Sequence, residues 1–391
     1  MKKTFAILMA VLMLVMSMAA CSSGAASSGS AAASGNTSSN VIKIGATGPL
    51  TGGAAIYGLA CQRAAQIAVD EINALGGLQF ELRYEDDAHD AEKAVNAYNA
   101  LKDWGVQITL GSVTTPAAKA TSALNYEDGI FALTPSASGP VVVEGKDNVF
   151  QMCFTDPNQG MASARYIKNK NLASKVAVIY KNDEDYSMGI YQTFLAEAEK
   201  LGLDIVSTTT FTADSQNDFS VQLGEAQAAG ADLLFLPIYY QPASLILAQA
   251  NQMGYAPKFF GVDGWDGLLT MEGFDTSLAE GAMLLTPFSP DASDEKTVNF
   301  VKKYQELYGE VPNQFGADAY DCIYAIYQAC TAGGVTPDMT AQQINDIMKA
   351  QFTSMKFDGV TGTSMTWQAT GMVSKDPKGM VIENGTYVGL D

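Results

Sequence analysis

The chain is predicted to be an α/β protein of two lobes, each a mainly parallel sheet flanked by helices, with a hinge of crossing strands. Three observations lead there. From residue 41 onward, short β-rich apolar segments alternate with amphipathic segments of helical length, the pattern of parallel sheets covered on both faces. Unbroken runs such as Val176-Ala177-Val178-Ile179 suit central strands buried on both sides. About 370 residues remain beyond the first twenty, more than one typical domain holds.

The first element stands outside that fold. Lys2 and Lys3 open the chain, residues 5–16 are an unbroken apolar run, and Met18-Ala19-Ala20 precede Cys21. A spanning helix needs about 20 apolar residues, so the run reads as a cleaved export leader. It resembles a bacterial lipoprotein signal, residues 1–20, whose removal leaves Cys21 lipid-modified at the new N-terminus; Met18 stands where such signals usually have Leu. Residues 22–40 are almost wholly Ser, Ala and Gly, too polar and small to offset their own ordering entropy. As a coil they span roughly 25 Å. The expected location is extracytoplasmic, anchored to the cell membrane through lipid alone.

Strands are then predicted at 42–47, 80–85, 107–111, 130–134, 176–180, 205–211, 233–236, 258–262 and 283–286. Helices are predicted at 58–74, 91–103, 116–126, 188–201, 243–253, 293–308, 315–331 and 341–350. At Phe154-Thr155-Asp156-Pro157 a strand passes into a new helix, with Asp156 read as the N-cap and Pro157 as the first helical residue. A fresh strand–helix series runs to Thr286-Pro287, and the long helices after it need a sheet to pack on. The economical arrangement is a first lobe of residues 41–155 plus 288–376 and a second of 156–287 plus 377–391.

Composition excludes several classes of function. The chain has 23 basic and 42 acidic residues, a formal net charge of −19, and losing Lys2 and Lys3 with the leader makes the balance more acidic still. Such a surface repels phosphate backbones, which argues against nucleic-acid binding. Cys61, Cys153, Cys322 and Cys330 either pair as disulfides or remain buried thiols; Cys322 and Cys330, about 12 Å apart along one helix, cannot bridge each other. None has metal-type spacing and His89 is the single histidine, so no metal, no cofactor and no Cys–His catalysis is expected. His89 sits in an acidic run that reads as a solvated helix start, and no Gly-x-Ser-x-Gly elbow is present.

The series Lys43 to Gly52, Tyr57-Gly58, Ala68-Val69-Asp70-Glu71-Ile72-Asn73, Asp86-Asp87, Tyr126 to Ile130 and Thr134-Pro135-Ser136-Ala137-Ser138 resembles the leucine/isoleucine/valine-binding family of solute receptors for ABC importers. The resemblance spans residues 41–391 and implies the type I periplasmic-binding-protein fold. The Gly45–Gly53 stretch lacks phosphate-loop and dinucleotide spacing; in this family it resembles the first cleft loop, with Tyr57 either facing ligand or packing at the helix start. In Val113-Thr114-Thr115-Pro116, Thr115 can cap the helix opened by Pro116, giving free N–H groups and a hydroxyl suited to a carboxylate. The resemblance implies a carboxylate-binding role for this position, and an ammonium contact from the Ala137 carbonyl and the Ser138 hydroxyl. It implies that Asp263, in Phe260-Gly261-Val262-Asp263-Gly264-Trp265, is the acidic partner of that ammonium, one methylene shorter than the Glu of better-known members. Tyr239 would donate to the carboxylate and Tyr186 would pack on the ligand side chain. His89 and Thr114 stand where some members have a disulfide pair.

The reading that follows is a non-enzymatic, monomeric receptor that captures a small amino acid, branched-chain or otherwise apolar, and delivers it to an ABC permease. A receptor for urea, short amides or small carboxylates is the alternative on the same fold, and a sensory ligand-binding module is another; Asp263 argues against a neutral ligand, which gives the acid no cation.

Overall fold

The computed structural model describes residues 40–390, so the predicted leader, Cys21 and nearly all of the tether lie outside the described residues. The first sheet is built from β1 (Ile42–Gly48), α1 (Ala55–Ala74), β2 (Phe80–Asp86), α2 (Ala91–Trp104), β3 (Ile108–Leu110), α3 (Thr115–Asp128), β4 (Phe131–Thr134) and β5 (Val149–Gln151). Its five strands run parallel in the order β2-β1-β3-β4-β5. Ile42, Ile44 and Ala46 of β1 are wholly buried, as a central strand requires. Local signals place the helices: Asp90 accepts a hydrogen bond from Lys93 N at 2.8 Å to start α2, and Gly105, at φ 87°, ends it in the left-handed conformation.

After a first crossing the chain lays down α4 (Asp156–Asn169), β6 (Val176–Lys181), α5 (Asp185–Leu201), β7 (Ile205–Phe211), α6 (Ser220–Ala228), β8 (Leu233–Phe235), α7 (Tyr240–Gln252), β9 (Lys258–Phe260) and β10 (Met283–Thr286). It then crosses back. Among α8 (Glu295–Tyr308), α9 (Gln314–Gly333) and α10 (Ala341–Phe352), the last two cover the first sheet. Phe352 packs its ring on Phe131 and Phe150, centroids 4.9 and 5.4 Å away, and Cys61 of α1 donates to the Phe315 carbonyl at 3.2 Å. A third crossing delivers β11 (Lys378–Glu383) and β12 (Thr386–Gly389), completing a seven-stranded sheet β12-β11-β10-β9-β8-β6-β7 whose last two strands are antiparallel.

The structure departs from expectation at several points. Helix α1 starts at Ala55 rather than 58, which puts Tyr57 inside its first turn. Helix α6 and the β11–β12 hairpin were not foreseen, and the strand expected to lead into α4 ends at Gln151. Asp156 is the first residue of α4 rather than its cap; Thr155 holds the cap position without a side-chain bond. Likewise Thr114, not Thr115, is the N-cap of α3, again with no side-chain bond. In both helices the extended cap residue stands two before the proline, which is the second helical residue. All four described cysteines are buried and free, and no described helix is long and apolar enough to cross a membrane.

Candidate functional site

The residues singled out from sequence lie at the carboxyl ends of the parallel strands, where open α/β sheets bind ligands. The first sheet contributes Val113 and Thr115 after β3 and Ala137 and Ser138 after β4, with Tyr57 from α1; the second contributes Tyr186 after β6, Tyr239 after β8 and Asp263 after β9. The two groups meet. Tyr57 Oη donates to the Gly264 carbonyl and accepts from Tyr240 N at 3.2 Å, while Gln314 Nε2 of α9 donates to the Asp263 carbonyl at 2.7 Å. These bonds join elements of opposite sheets, so the described form is the closed one.

On the second-sheet side the acid is held by aromatic groups. Tyr186 Oη donates to Asp263 Oδ1 at 2.5 Å and accepts from Gly264 N at 3.1 Å; its ring stacks on Tyr239, 4.4 Å between centroids and 7° from parallel. Tyr186 therefore orients Asp263, a role the expected side-chain packing did not include. A β-carbon at Gly264 would come within 2.7 Å of Tyr186 Oη and 3.0 Å of the Tyr239 ring, so glycine is required for this packing. Burial pushes the Asp263 carboxyl up to about 6, against the stabilising bonds from Tyr186, Gln159 and Gly264 N.

On the first-sheet side the hydroxyls have different partners from those expected. Thr115 Oγ1 accepts from Gly139 N at 3.1 Å instead of capping α3. Val113 is buried and its carbonyl accepts from Ser136 Oγ at 2.6 Å; the Ala137 carbonyl accepts from Gln151 Nε2 at 2.7 Å. Ser138 is fully buried, and its hydroxyl has no hydrogen-bond partner among the described residues. Gly139 again has no room for a side chain, since a β-carbon would reach Thr115 Cγ2 at 2.6 Å and Asp156 Oδ2 at 3.4 Å.

That last contact exposes what sequence reasoning missed. Asp156, read as a helix cap, is 0 % exposed and neither of its carboxylate oxygens completes a hydrogen bond among the described residues. Burial holds its carboxyl well above the ordinary range; nearby Ser138 favours the charged form, while Asp263, Glu184 and Asp185 oppose it. A buried acid with no cation beside it is a costly arrangement for an empty site. Asp156 and Asp263 together make a place for a positive group. The Asp-Pro pair gave no sign of this because a first-turn acid is equally at home as a cap.

His89 also departs from its expected solvated position. Its Nδ1 lies 2.9 Å from Thr114 Oγ1, so a hydrogen bond joins the two positions where the resemblance implied a disulfide in other members. Its ring meets the Tyr239 ring edge-on at 5.3 Å. Among the described residues no group of His, Cys, Asp and Glu is arranged to hold a metal ion.

Two sheets closed on a cleft lined with buried acids, hydroxyls and tyrosines are the architecture of a bilobal binding protein. The chain belongs to the periplasmic binding protein family, whose sequence model matches residues 41–385. It is 28 % identical over 355 residues to the Leu/Ile/Val-binding protein homolog 3 of Brucella melitensis, covering 90 % of this chain and 94 % of that protein. Among solved structures it is similar to the leucine-binding protein LivK of Thermotoga maritima, with a TM-score of 0.81, 28 % identity, and coverage of 90 % of this chain and 98 % of that one. It is similar also to the branched-chain amino acid transporter substrate-binding protein LivJ of Streptococcus pneumoniae, solved in complex with isoleucine, with a TM-score of 0.80, 29 % identity, and coverage of 89 % and 97 %.

Changing Thr115 to Val is expected to lower stability and ligand affinity, each by roughly 1–2 kcal/mol, because the buried Gly139 N–H loses its acceptor and the cleft loses a hydroxyl. Thermal melting and calorimetry on one variant separate the effects. A lower melting temperature with unchanged affinity makes Thr115 a support for the Gly139 loop alone.

Proposed function

We propose that this chain is the substrate-binding component of an ABC importer and that it captures a branched-chain amino acid by closing its two lobes, taken as residues 41–155 plus 288–376 and 156–287 plus 377–391. The observation that carries the reading is the pair of buried acids, Asp263 and Asp156, without a cation, facing a hydroxyl at the start of α3. An ammonium group relieves the acids. The ligand carboxylate goes to Thr115, the first-turn N–H groups of α3 and the Tyr239 hydroxyl. The Ala137 carbonyl and Ser138 hydroxyl complete the ammonium site, and Tyr57 closes the wall. A zwitterion is satisfied only when both lobes contribute, so it favours the closed form by contacts the open form lacks.

The choice of branched-chain ligand draws on the functions of relatives near 28 % identity, and the acids support an amino acid over urea or an amide. The chain acts as a monomeric receptor rather than an enzyme, with the importer's permease as its partner. Calorimetry with leucine, isoleucine and valine, beside mass spectrometry of small molecules released on denaturation, tests this directly. No heat with any amino acid, and none released, overturns it. Cys21 serves as the lipid anchor in this reading, since membrane attachment acts through buried acyl chains. Cys21→Ser is expected to move the protein to the soluble fraction with ligand affinity unchanged; a variant still in the membrane pellet removes the anchor from the proposal.

A further inference from the structure

His89 sits between β2 and α2 on the first-sheet side, at φ 61°, with its backbone N–H donating to Asp87 Oδ1 at 2.9 Å. That turn aims the ring across the cleft. Thr114 Oγ1 lies at 2.9 Å from Nδ1, while Nε2 faces Glu184 Oε1 of the second-sheet side at 3.5 Å. Glu184 is the N-cap residue of α5, its side chain only 4 % exposed, and Lys181 Nζ steadies the same oxygen at 3.1 Å. The imidazole also meets the Tyr239 ring edge-on. One side chain of the first sheet thus touches two residues of the second, and one of these, Tyr239, stacks on the Tyr186 that holds Asp263. The arrangement lets Nδ1 pair with the Thr114 hydroxyl while Nε2–H faces the carboxylate.

We propose that His89 is a positioning residue for ligand capture: on closure it is clamped between Thr114 and the Glu184–Tyr239 pair, holds Tyr239 in place over the ligand, and keeps the closed form from reopening. The proposal rests on the cleft-closing reading above. The contact forms only after the lobes meet, so it governs release and leaves encounter unchanged. A second bridge across the rim, Lys119 Nζ to Asp185 Oδ2 at 2.7 Å, is 51 % and 39 % exposed on its two side chains and is screened by water, so it serves as an internal control.

Stopped-flow fluorescence with leucine, on a wild-type protein first shown by calorimetry to bind leucine, reads the release rate. His89→Ala is expected to speed release roughly 3- to 10-fold with an unchanged association rate, His89→Gln to recover part of the loss through its side-chain N–H, and Lys119→Ala to change release less than twofold. His89→Ala and Glu184→Gln combined should release no faster than the worse single variant. Release within twofold of wild type in His89→Ala, or effects of the two changes that simply multiply, overturns the proposal. If His89→Ala does not fold, the same cycle run with His89→Gln and Glu184→Gln decides it by the same criterion. Absence of leucine binding by the wild type is a failure of the functional reading and is seen before any variant is made.

Discussion

Replacing Asp263 by asparagine is expected to weaken branched-chain amino acid binding by about 3 kcal/mol, roughly a hundredfold, while making the empty protein more stable. The two effects have one cause. Asparagine retains an oxygen for the Tyr186 hydroxyl but removes the charge that meets the ammonium. It also removes a buried carboxylate whose folded value of about 6 lies above its unfolded value near 4. A group raised in this way favours folding below about pH 4, and that contribution is lost as pH rises through 6, so at neutral pH the ionised acid costs the empty protein about 3 kcal/mol. Affinity follows the opposite course: below pH 6 the ligand must displace a proton, and binding falls by up to about tenfold per unit. Calorimetry from pH 5 to 8 with melting of the ligand-free protein checks both limbs. A variant that binds within threefold of the parent removes Asp263 from the site.

Asp156→Asn is expected to show itself in protons. Burial and the neighbouring acids raise the Asp156 carboxyl in the empty protein, and an ammonium arriving beside it favours the ionised form. Binding should then be coupled to proton release, read from calorimetric heats in buffers of different ionisation enthalpy. In the Asn variant that release should fall, with affinity reduced about tenfold or more. Equal proton release in parent and variant would place the titrating group elsewhere, since the two acids titrate as a pair only if both face the ligand.

Much of this was legible in the sequence, for physical reasons. Runs such as Val176 to Ile179 and the regular alternation with helices announce parallel sheets. The motif series located Thr115, Ser138, Tyr186, Tyr239 and Asp263 near one another. Asp156 and His89 stayed hidden because their local patterns, Asp-Pro before a helix and His in an acidic run, are satisfied equally by a cap and by solvent. The β11–β12 hairpin carried a usable signal that was passed over: Asn384-Gly385, both at positive φ, between two apolar runs. The one-residue shift at Thr114 and Thr115 lies below what capping preferences can resolve.

The return of α9 and α10 to the first sheet carries a kinetic consequence. Phe131 and Phe150 sit on strands finished by residue 151, yet the ring that covers them, Phe352, is supplied about 200 residues later. Until that segment has emerged and the long loop has closed, the part of the earliest-made sheet around Phe131 and Phe150 has one greasy face bare to water, and loop closure over that span must precede the contacts that reward it. The second sheet, by contrast, assembles β6 to β10 from one continuous stretch. The half made first therefore waits for its cover while the whole of β6 to β10 is made, and it is the half most exposed to aggregation during that wait.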